Sequence, residues 1–362
     1  MRKTESFYAS RREWSERKHQ VLLKYLGAAT RILATRFGAV YFVDGFAGPG
    51  YYEDGAPGSP VLAAQHAAKV STEPYPLRLI NVEVDEKLFQ QLEQHTTHIA
   101  PTLVTNFCCS FEAAIPQILK LLGNLPAFFF IDPFGVKDIP WEALEPVLKR
   151  PYTDALINFH GRTAGQLAGL FFSQVRRPLS YGERLNKVLG TDVWQSQVKP
   201  SDKKREAIIQ CYLEQVAKAR GIACRHDVRD ATSGRYKYSL IFASRARLAF
   251  HIMNDILCET EREYEKAVQG FKLQKPLRGL EAQFQAQAEM MLIQELKEQL
   301  YTLGKAKGRV RYGDLCFEAY RTWFARAKGS HYLAAVKQLI QEGRIRRDRL
   351  TGVKPEEWLE FT

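Results

Sequence analysis

Short apolar runs alternate with amphipathic helical patterns over the first part of the chain. A helix is predicted over about 14–37, where apolar residues recur at helical spacing. Five apolar runs follow, each separated from the next by a helical pattern: 39–44, 77–85, 102–107, 126–132 and 153–159. Strands that are apolar throughout and separated by helices are typical of a parallel sheet covered on both faces. The pattern therefore predicts an α/β class, with a doubly wound, Rossmann-like sheet.

The pattern changes after the fifth run. Residues 161–220 are mostly helical and carry basic patches, and the segments 222–230 and 235–244 predict a hairpin that closes the sheet. A helix over about 245–264 leads into a polar stretch whose Gly and Pro indicate a boundary. We therefore expect a first domain over 1–268, with a helical insertion at about 161–220, and a second domain over 269–362.

The last part of the chain predicts a small helical module. A long helix around 281–303 precedes an amphipathic helix that ends at Gly343, and an Arg-rich hairpin follows. This succession resembles a winged helix, whose hairpin can present alternate arginines to phosphates. The candidate nucleic-acid-binding residues are Lys337, Arg344, Arg346, Arg347 and Arg349. Because winged helices also pair proteins, docking to a protein stays open as an alternative.

Charge supports a polyanionic partner. The 362 residues have a formal net charge of +12, and residues 301–349 contain 12 Lys and Arg against 4 Asp and Glu. Such clustering indicates DNA or RNA, although a merely well-solvated basic surface gives the same pattern. No apolar run reaches the roughly 20 residues of a membrane helix, and the first residues are too polar for a signal peptide. We expect a cytoplasmic protein with no membrane partner, whose six cysteines are reduced and mostly buried.

A glycine-rich loop follows the first predicted strand. Its glycine spacing is GxxGxG, which differs from the GxGxxG of dinucleotide dehydrogenases. Pro49 also removes a backbone donor, which disfavours a pyrophosphate cradle but suits a ligand that presents an amino acid. Asp44 is close enough in sequence to interact with an ammonium group of that ligand. The candidate ligand-binding residues are Asp44, Gly45, Phe46, Ala47, Gly48 and Gly50, and a purely structural turn is the alternative.

Acidic residues end the second and fourth predicted strands. Glu83 and Asp85 share one face of a strand, and an acid there can accept both ribose hydroxyls of an adenosine; the alternative is that both cap the next helix. Asp132 follows the fourth strand in the sequence DPFG. Its carboxylate and a neighbouring carbonyl can accept hydrogen bonds from an exocyclic amine, while Phe134 stacks on the ring. An ordinary exit from a buried strand is the alternative.

The combined motifs carry a family resemblance. The series DGFAGPGYY, PGSP, NVEVD and FIDPFG resembles the three-Cys-motif partner proteins, whose fold is that of S-adenosylmethionine-dependent methyltransferases. It is also similar to the family that methylates adenine in 23S ribosomal RNA. The resemblance implies that Asp44, Phe46, Gly48 and Gly50 line the methionine end of the cofactor and that Glu83 holds the ribose. It places Ser110 and Phe111 at the adenine edge, and Asp132, Pro133, Phe134 and Gly135 at the methyl acceptor.

The chain departs from the Asp-Pro-Pro-Tyr pattern of amino-methyltransferases at its last two positions, where Phe134 and Gly135 stand. Two functions therefore follow from the resemblance. The first is transfer of a methyl group from S-adenosylmethionine to nucleic acid, on an adenine exocyclic amine. The second is a binding partner that serves a separate iron–sulfur enzyme carrying the three-cysteine motif, since the scattered cysteines of this chain could not hold such a cluster alone.

Overall fold

The computed structural model describes residues 13–71, 76–133, 135, 139–173, 178–198, 203–230, 233–272, 278–347 and 353–362. The chain divides into two compact units, residues 1–246 and 247–362. No helix in the described ranges is long and apolar enough to cross a membrane. Four of the six cysteines are buried, whereas Cys108 is exposed and Cys109 is half-buried.

A seven-stranded sheet forms the centre of the first unit. Its strands, in chain order, are β1 Val40–Asp44, β2 Leu77–Glu83, β3 Val104–Cys108, β4 Ala127–Ile131, β5 Thr153–Phe159, β6 Ala223–Arg229 and β7 Tyr236–Ala243. They lie side by side in the order β3-β2-β1-β4-β5-β7-β6. The first five are parallel, while β7 runs antiparallel to both of its neighbours. The predicted doubly wound α/β fold and its closing hairpin are confirmed.

Helices cover both faces of this sheet. They are α1 Glu13–Phe37, α2 Ser59–Val70, α3 Glu86–Ile99, α4 Phe111–Leu122, α5 Trp141–Lys149, α6 Gly161–Phe172, α7 Pro178–Leu189, α8 Trp194–Val198 and α9 Lys204–Arg220. Consecutive phenylalanines of β4 point to opposite faces: Phe128 packs against Tyr25 of α1, whereas Phe129 belongs to the core beneath α4 and α5. The continuous apolar runs in the sequence are therefore buried on both sides.

The second unit contains the remaining elements: α10 Arg247–Lys272, α11 Arg278–Lys307, β8 Arg309–Arg311, α12 Tyr312–Trp323, α13 Gly329–Gln341, β9 Ile345–Arg347 and β10 Trp358–Phe361. The three strands form one sheet in the order β8-β10-β9. This order of elements is compatible with the predicted winged-helix-like module. That assignment stays a prediction, because residues 348–352 of the hairpin lie outside the described residues.

The division between the units precedes α10, whereas the sequence places the boundary near residue 268, close to the C-terminal end of α10. Packing explains the difference. Phe250 of α10 contacts the rings of Phe317 and Phe324, and the buried amide of Asn254 donates to the Ala327 carbonyl at 2.8 Å. A change in composition marks the end of α10, but the core contacts assign α10 to the second unit.

Gly190 offers a test of packing at the end of α7. Its φ is +66°, and an added Cβ would lie 2.1 Å from the Trp141 ring. We expect Gly190→Ala to lower the free energy of unfolding by about 2–4 kcal/mol, combining backbone strain with overpacking. Gly234→Ala is the matched control, because Gly234 has a φ of +64° but no neighbouring atom within 4 Å. Equal losses for both variants in urea unfolding would contradict the packing contribution.

Candidate cofactor and substrate site

The candidate site lies at the carboxyl edge of the parallel strands. Strand order reverses between β1 and β4, and ligands of open α/β sheets bind in the crevice at such a switch point. An open pocket lies here. Its walls are the start of α1, the loop after β1, the residues that follow β4 and β5, and Tyr238 of β7.

The backbone amides of the glycine-rich loop are used within the protein. Residues 45–48 donate, in order, to the Phe130 carbonyl at 3.0 Å, the Asp44 carboxylate at 3.1 Å, the Val82 carbonyl at 2.9 Å and the Glu83 carboxylate at 2.9 Å. Pro49 has no amide hydrogen to add. A phosphate cradle needs several free amides that converge on one anion. This loop does not supply them, which agrees with the prediction that it does not hold a dinucleotide.

Asp44 is a buried carboxylate with an unused oxygen. The side chain is fully buried, and Oδ2 has no hydrogen-bond partner among the described residues. Burial raises the pKa of Asp44 to about 7. Hydrogen bonds from the Ser59 side chain and from the Phe46 amide act in the opposite direction and lower this pKa. The charges of Asp132 and Glu83 contribute further to this increase. Three acids therefore lie near one another beneath and beside the loop, an environment that favours a cationic group on a ligand.

Glu83 forms a hydrogen bond between β2 and the loop, whereas Asp85 caps the next helix. Glu83 is buried and accepts from the amides of Gly48 at 2.9 Å and Asp85 at 2.8 Å. Burial raises its pKa. Asp85 lies beyond the end of β2 and caps α3, since its Oδ1 accepts from the amides of Lys87 and Leu88. The expectation that Asp85 shares a strand face with Glu83 is wrong, because the strand ends first.

Close packing and backbone conformation both favour glycine in this loop. A Cβ at residue 45 would lie 2.9 Å from the Phe111 ring, which also contacts Phe46 at a centroid distance of 5.6 Å. Gly48 and Gly50 have positive φ values of +67° and +95°, which favour glycine. Phe111 is buried, and the Ser110 hydroxyl caps α4 by accepting from Ala113. Ser110 and Phe111 thus support the loop and the helix, and their role at an adenine edge stays a prediction.

Asp132 forms a buried ion pair that the sequence does not reveal. Its Oδ2 accepts from the ammonium of Lys18, and its Oδ1 accepts from the Asn158 amide at 2.5 Å. Burial alone would raise the pKa of Asp132, but Lys18, by charge and hydrogen bond, and the Asn158 amide lower it below its ordinary value. Lys18 also lies over the ring of Tyr238, 5.2 Å from its centroid. Asp132 is therefore held as a carboxylate in the pocket.

The neighbours of Asp132 complete the wall. The carbonyl of Pro133 lies 2.9 Å from Nε2 of His160, which begins α6. Gly135 is half-buried, and Phe134, the predicted stacking residue, lies outside the described residues. Asn158 is buried, and its Oδ1 has no hydrogen-bond partner in the described ranges. The wall therefore presents an unused amide oxygen beside a paired carboxylate.

The structure brings together residues from both halves of the sheet. Asp44, Glu83 and Asp132 meet at one edge, as strand ends in the sequence predict. Lys18 and Tyr238 were not among the predicted site residues, because Lys18 lies 114 residues from Asp132 and belongs to a helix rather than a strand end. The sequence offered one sign of this role for Lys18, namely a basic residue next to the apolar face of the helix α1. Asn158, near the end of β5, and His160, which directly follows β5, join the same wall.

The predicted nucleic-acid-binding residues of the second unit occupy different environments. Arg344 pairs with Glu298 at 2.7 Å and lies over the Tyr301 ring, with Glu342 also within reach. Arg347 lies 4.0 Å from Glu357, Arg346 and Lys337 are exposed, and Arg349 lies outside the described residues. The contacts of Arg344 are those of an internal ion-pair network within this unit.

Comparisons with known proteins identify no family. No family model and no curated protein matches the sequence. Among solved structures, the chain is similar to the O-methyltransferase TomG from Streptomyces achromogenes in complex with SAM, with a TM-score of 0.34 and 15% identity over 63% of this chain and 79% of that chain. The O-methyltransferase from Bacillus cereus in complex with SAH has a TM-score of 0.37 and 14% identity, over 66% of this chain and 83% of that chain.

Trm1 from Pyrococcus horikoshii, in complex with S-adenosyl-L-methionine, has a TM-score of 0.33 and 8% identity, over 68% of this chain and 60% of that chain. These scores and identities carry no argument about activity.

Ionisation of Asp44 opposes folding above pH 4, because its pKa is about 7 in the folded chain and near 3.8 in the unfolded chain. The folded state binds the extra proton between these values, so wild-type stability falls as the pH rises through this window. We expect Asp44→Asn to become more stable than wild type at pH 8, by up to roughly 4 kcal/mol, with no such gain at pH 4. Thermal unfolding at both pH values measures the difference. A difference that does not change with pH would contradict a buried ionisable Asp44.

Removal of Lys18 leaves Asp132 without its cation. We expect Lys18→Met to lower the free energy of unfolding by about 2–4 kcal/mol at pH 8, because a buried charge loses its partner. The loss should shrink towards pH 4, where Asp132 of the variant, whose pKa is then raised by burial, becomes protonated. Lys18→Met with Asp132→Asn is the control and should recover part of the stability at pH 8. No recovery in the double variant would contradict the ion pair.

Proposed function

We propose that the first unit is an S-adenosylmethionine-dependent methyltransferase that acts on nucleic acid, at the exocyclic amine of adenine. The unused oxygen of buried Asp44 carries this proposal. It lies beneath a loop whose amides from residue 45 to 48 are all paired, at the switch point of the sheet. Such a place suits an ammonium group and does not suit a phosphate.

The residues at this edge fit the cofactor. Asp44 and the loop around Gly48 and Gly50 would hold its methionine end, and Glu83 would accept the ribose hydroxyls. When bound, S-adenosylmethionine supplies an electrophilic methyl group on a positively charged sulfur. Asp44 and Glu83, when ionised, would favour a positive charge nearby, whereas the charge of Asp132 is already paired with Lys18.

The opposite wall supports an amine as methyl acceptor. An exocyclic amine has two N–H donors and needs two acceptors to be held in a fixed direction. Asn158 Oδ1 is an unused acceptor, and the Pro133 carbonyl has a second lone pair. Asp132, with its lowered pKa, is too weak a base to remove a proton first. It would orient its neighbours, and the amine would release its proton to solvent after methyl transfer.

A second function has one observation in its favour. Both oxygens of Asp132 and the Pro133 carbonyl already have partners in Lys18, Asn158 and His160. A wall occupied in this way also suits a protein that binds cofactor or nucleic acid without transferring a methyl group. This is the partner function expected from the resemblance, in which the chain serves a separate three-Cys-motif iron–sulfur protein.

Calorimetry with S-adenosylmethionine tests the cofactor site. We expect wild type to bind and Asp44→Asn to lose binding at every pH from 6 to 8. Wild-type affinity should fall as the pH drops below 7, because the carboxylate must be ionised to pair with an ammonium group. Asp85→Asn is the matched control, since Asp85 is exposed and caps α3. No binding by wild type would refute the proposed function.

Methyl transfer tests the acceptor wall. We expect labelled methyl to appear in DNA or RNA, and Asn158→Ala to reduce transfer on the order of 100-fold with little change in cofactor affinity. Loss of an acceptor from the reacting amine explains this difference. Cofactor binding without transfer by wild type, alone or with a three-Cys-motif protein present, would favour the partner function. Transfer by Asn158→Ala at the wild-type rate would remove Asn158 from the mechanism.

A further inference from the structure

The small sheet of the second unit has one exposed face rich in arginine. The pairing places Arg311 opposite Trp358, and it places both Arg309 and Arg346 opposite Glu360. These five side chains form what we call the arginine–tryptophan face, and all five residues are exposed. Val310 and Leu359, which alternate with them, are buried on the other side. The sheet therefore separates a packed face from a basic face.

Trp358 is an exposed aromatic residue with two guanidinium groups near its ring. Its relative exposure is 38%, which is high for tryptophan, and the guanidinium carbons of Arg309 and Arg311 each lie 5.1 Å from its ring centroid. The other described tryptophan–arginine contact of this unit differs, because Arg326 lies over Trp323, which is buried. An exposed ring flanked by arginines provides a stacking surface together with phosphate-binding charges.

Charge around this face favours a polyanion. Three arginines outnumber the single acid Glu360, and residues 301–349 contain 12 Lys and Arg against 4 Asp and Glu. Arg344 of the predicted Arg-rich hairpin forms an ion pair with Glu298. The hairpin therefore presents less uncompensated positive charge than the sequence indicates. Arg309 and Arg311 were not predicted to bind nucleic acid. Both arginines lie beside the Trp358 ring, so positive charge and an exposed aromatic ring occur together on this face.

We propose that the arginine–tryptophan face binds an unpaired polynucleotide strand, with a base stacked on Trp358 and phosphates contacting Arg309, Arg311 and Arg346. A base within a duplex exposes its edges but keeps its faces covered by neighbouring bases, so it cannot stack on this ring. DNA and RNA share the required chemistry of flat bases and phosphates. The proposal deepens the proposed function by naming the form of nucleic acid, but binding is measured without any methyl transfer.

Fluorescence anisotropy of labelled oligonucleotides tests the face in the full chain. The probes are an oligo(dT), an oligo(U) and a duplex of mixed sequence, each titrated without cofactor. We expect both single strands to bind more tightly than the duplex, and Trp358→Leu to weaken single-strand binding roughly tenfold. Trp358→Tyr keeps an aromatic face and should stay within about threefold of wild type. Arg311→Gln should reduce the salt dependence of log K by about 0.7 for each lost phosphate contact.

Arg326→Gln is the matched control, because it removes one exposed arginine whose tryptophan partner is buried. It should leave affinity within about twofold of wild type and keep the single-strand preference. A duplex bound as tightly as the single strands would overturn the proposal. Equal losses for Arg311→Gln and Arg326→Gln, with no loss for Trp358→Leu, would overturn it as well, since charge alone would then explain binding.

Photocrosslinking keeps the test independent of whether the variants fold. Wild-type protein is irradiated with a 5-bromouracil-containing single strand, and the attached peptide is identified by mass spectrometry. A crosslink on the peptide that contains Trp358 supports the proposal. Crosslinks confined to α13, which carries the predicted binding residue Lys337, would overturn it. Intact single-strand binding with no methyl transfer would refute the proposed activity and leave this binding face standing.

Discussion

The buried pair of Lys18 and Asp132 is the interaction on which the proposed acceptor side of the site depends. It joins α1 to the end of β4, and the Asn158 amide extends the connection to the end of β5. Burial would otherwise favour a neutral Asp132, and that change would alter the field of the whole pocket. The ammonium of Lys18 keeps the carboxylate ionised and fixes its direction. The same contact holds the start of α1 against the pocket, where it forms one of the walls.

The two halves of the site use their polar groups in opposite ways. In the loop after β1, consecutive amides are paired inside the protein, and a carboxylate oxygen of Asp44 is left unused. Beyond β4 and β5, the carboxylate is paired and an amide oxygen of Asn158 is left unused. Buried polar groups normally find partners, so two unused acceptors at one edge indicate ligands with donors. A cationic ammonium suits the first and an amine suits the second.

The sequence was sufficient to predict most of the sheet and the edge on which the site lies. Strands buried on both faces appear as continuous apolar runs, and residues at the carboxyl ends of such strands, such as Glu83 and Asp132, must meet at one edge. Asp85 does not follow this rule, because it lies two residues beyond the end of β2 and caps the next helix. Lys18 and Arg344 show another limit, since their partners lie far away in the chain and only the tertiary fold selects them. Local composition also misplaces the unit boundary, which long-range packing of Phe250 determines.

The dependence of Asp132 on Lys18 has a consequence for how this site can change over evolution. A buried acid without its cation is destabilising, and so is a buried cation without its acid. Neither residue is therefore free to vary alone, although 114 positions separate them. Relatives that exchange one for an uncharged side chain should have exchanged the other, so the two positions should vary together across an alignment. Joint presence of the pair would identify relatives that keep this buried carboxylate, and its joint loss would identify relatives whose pocket has a different charge.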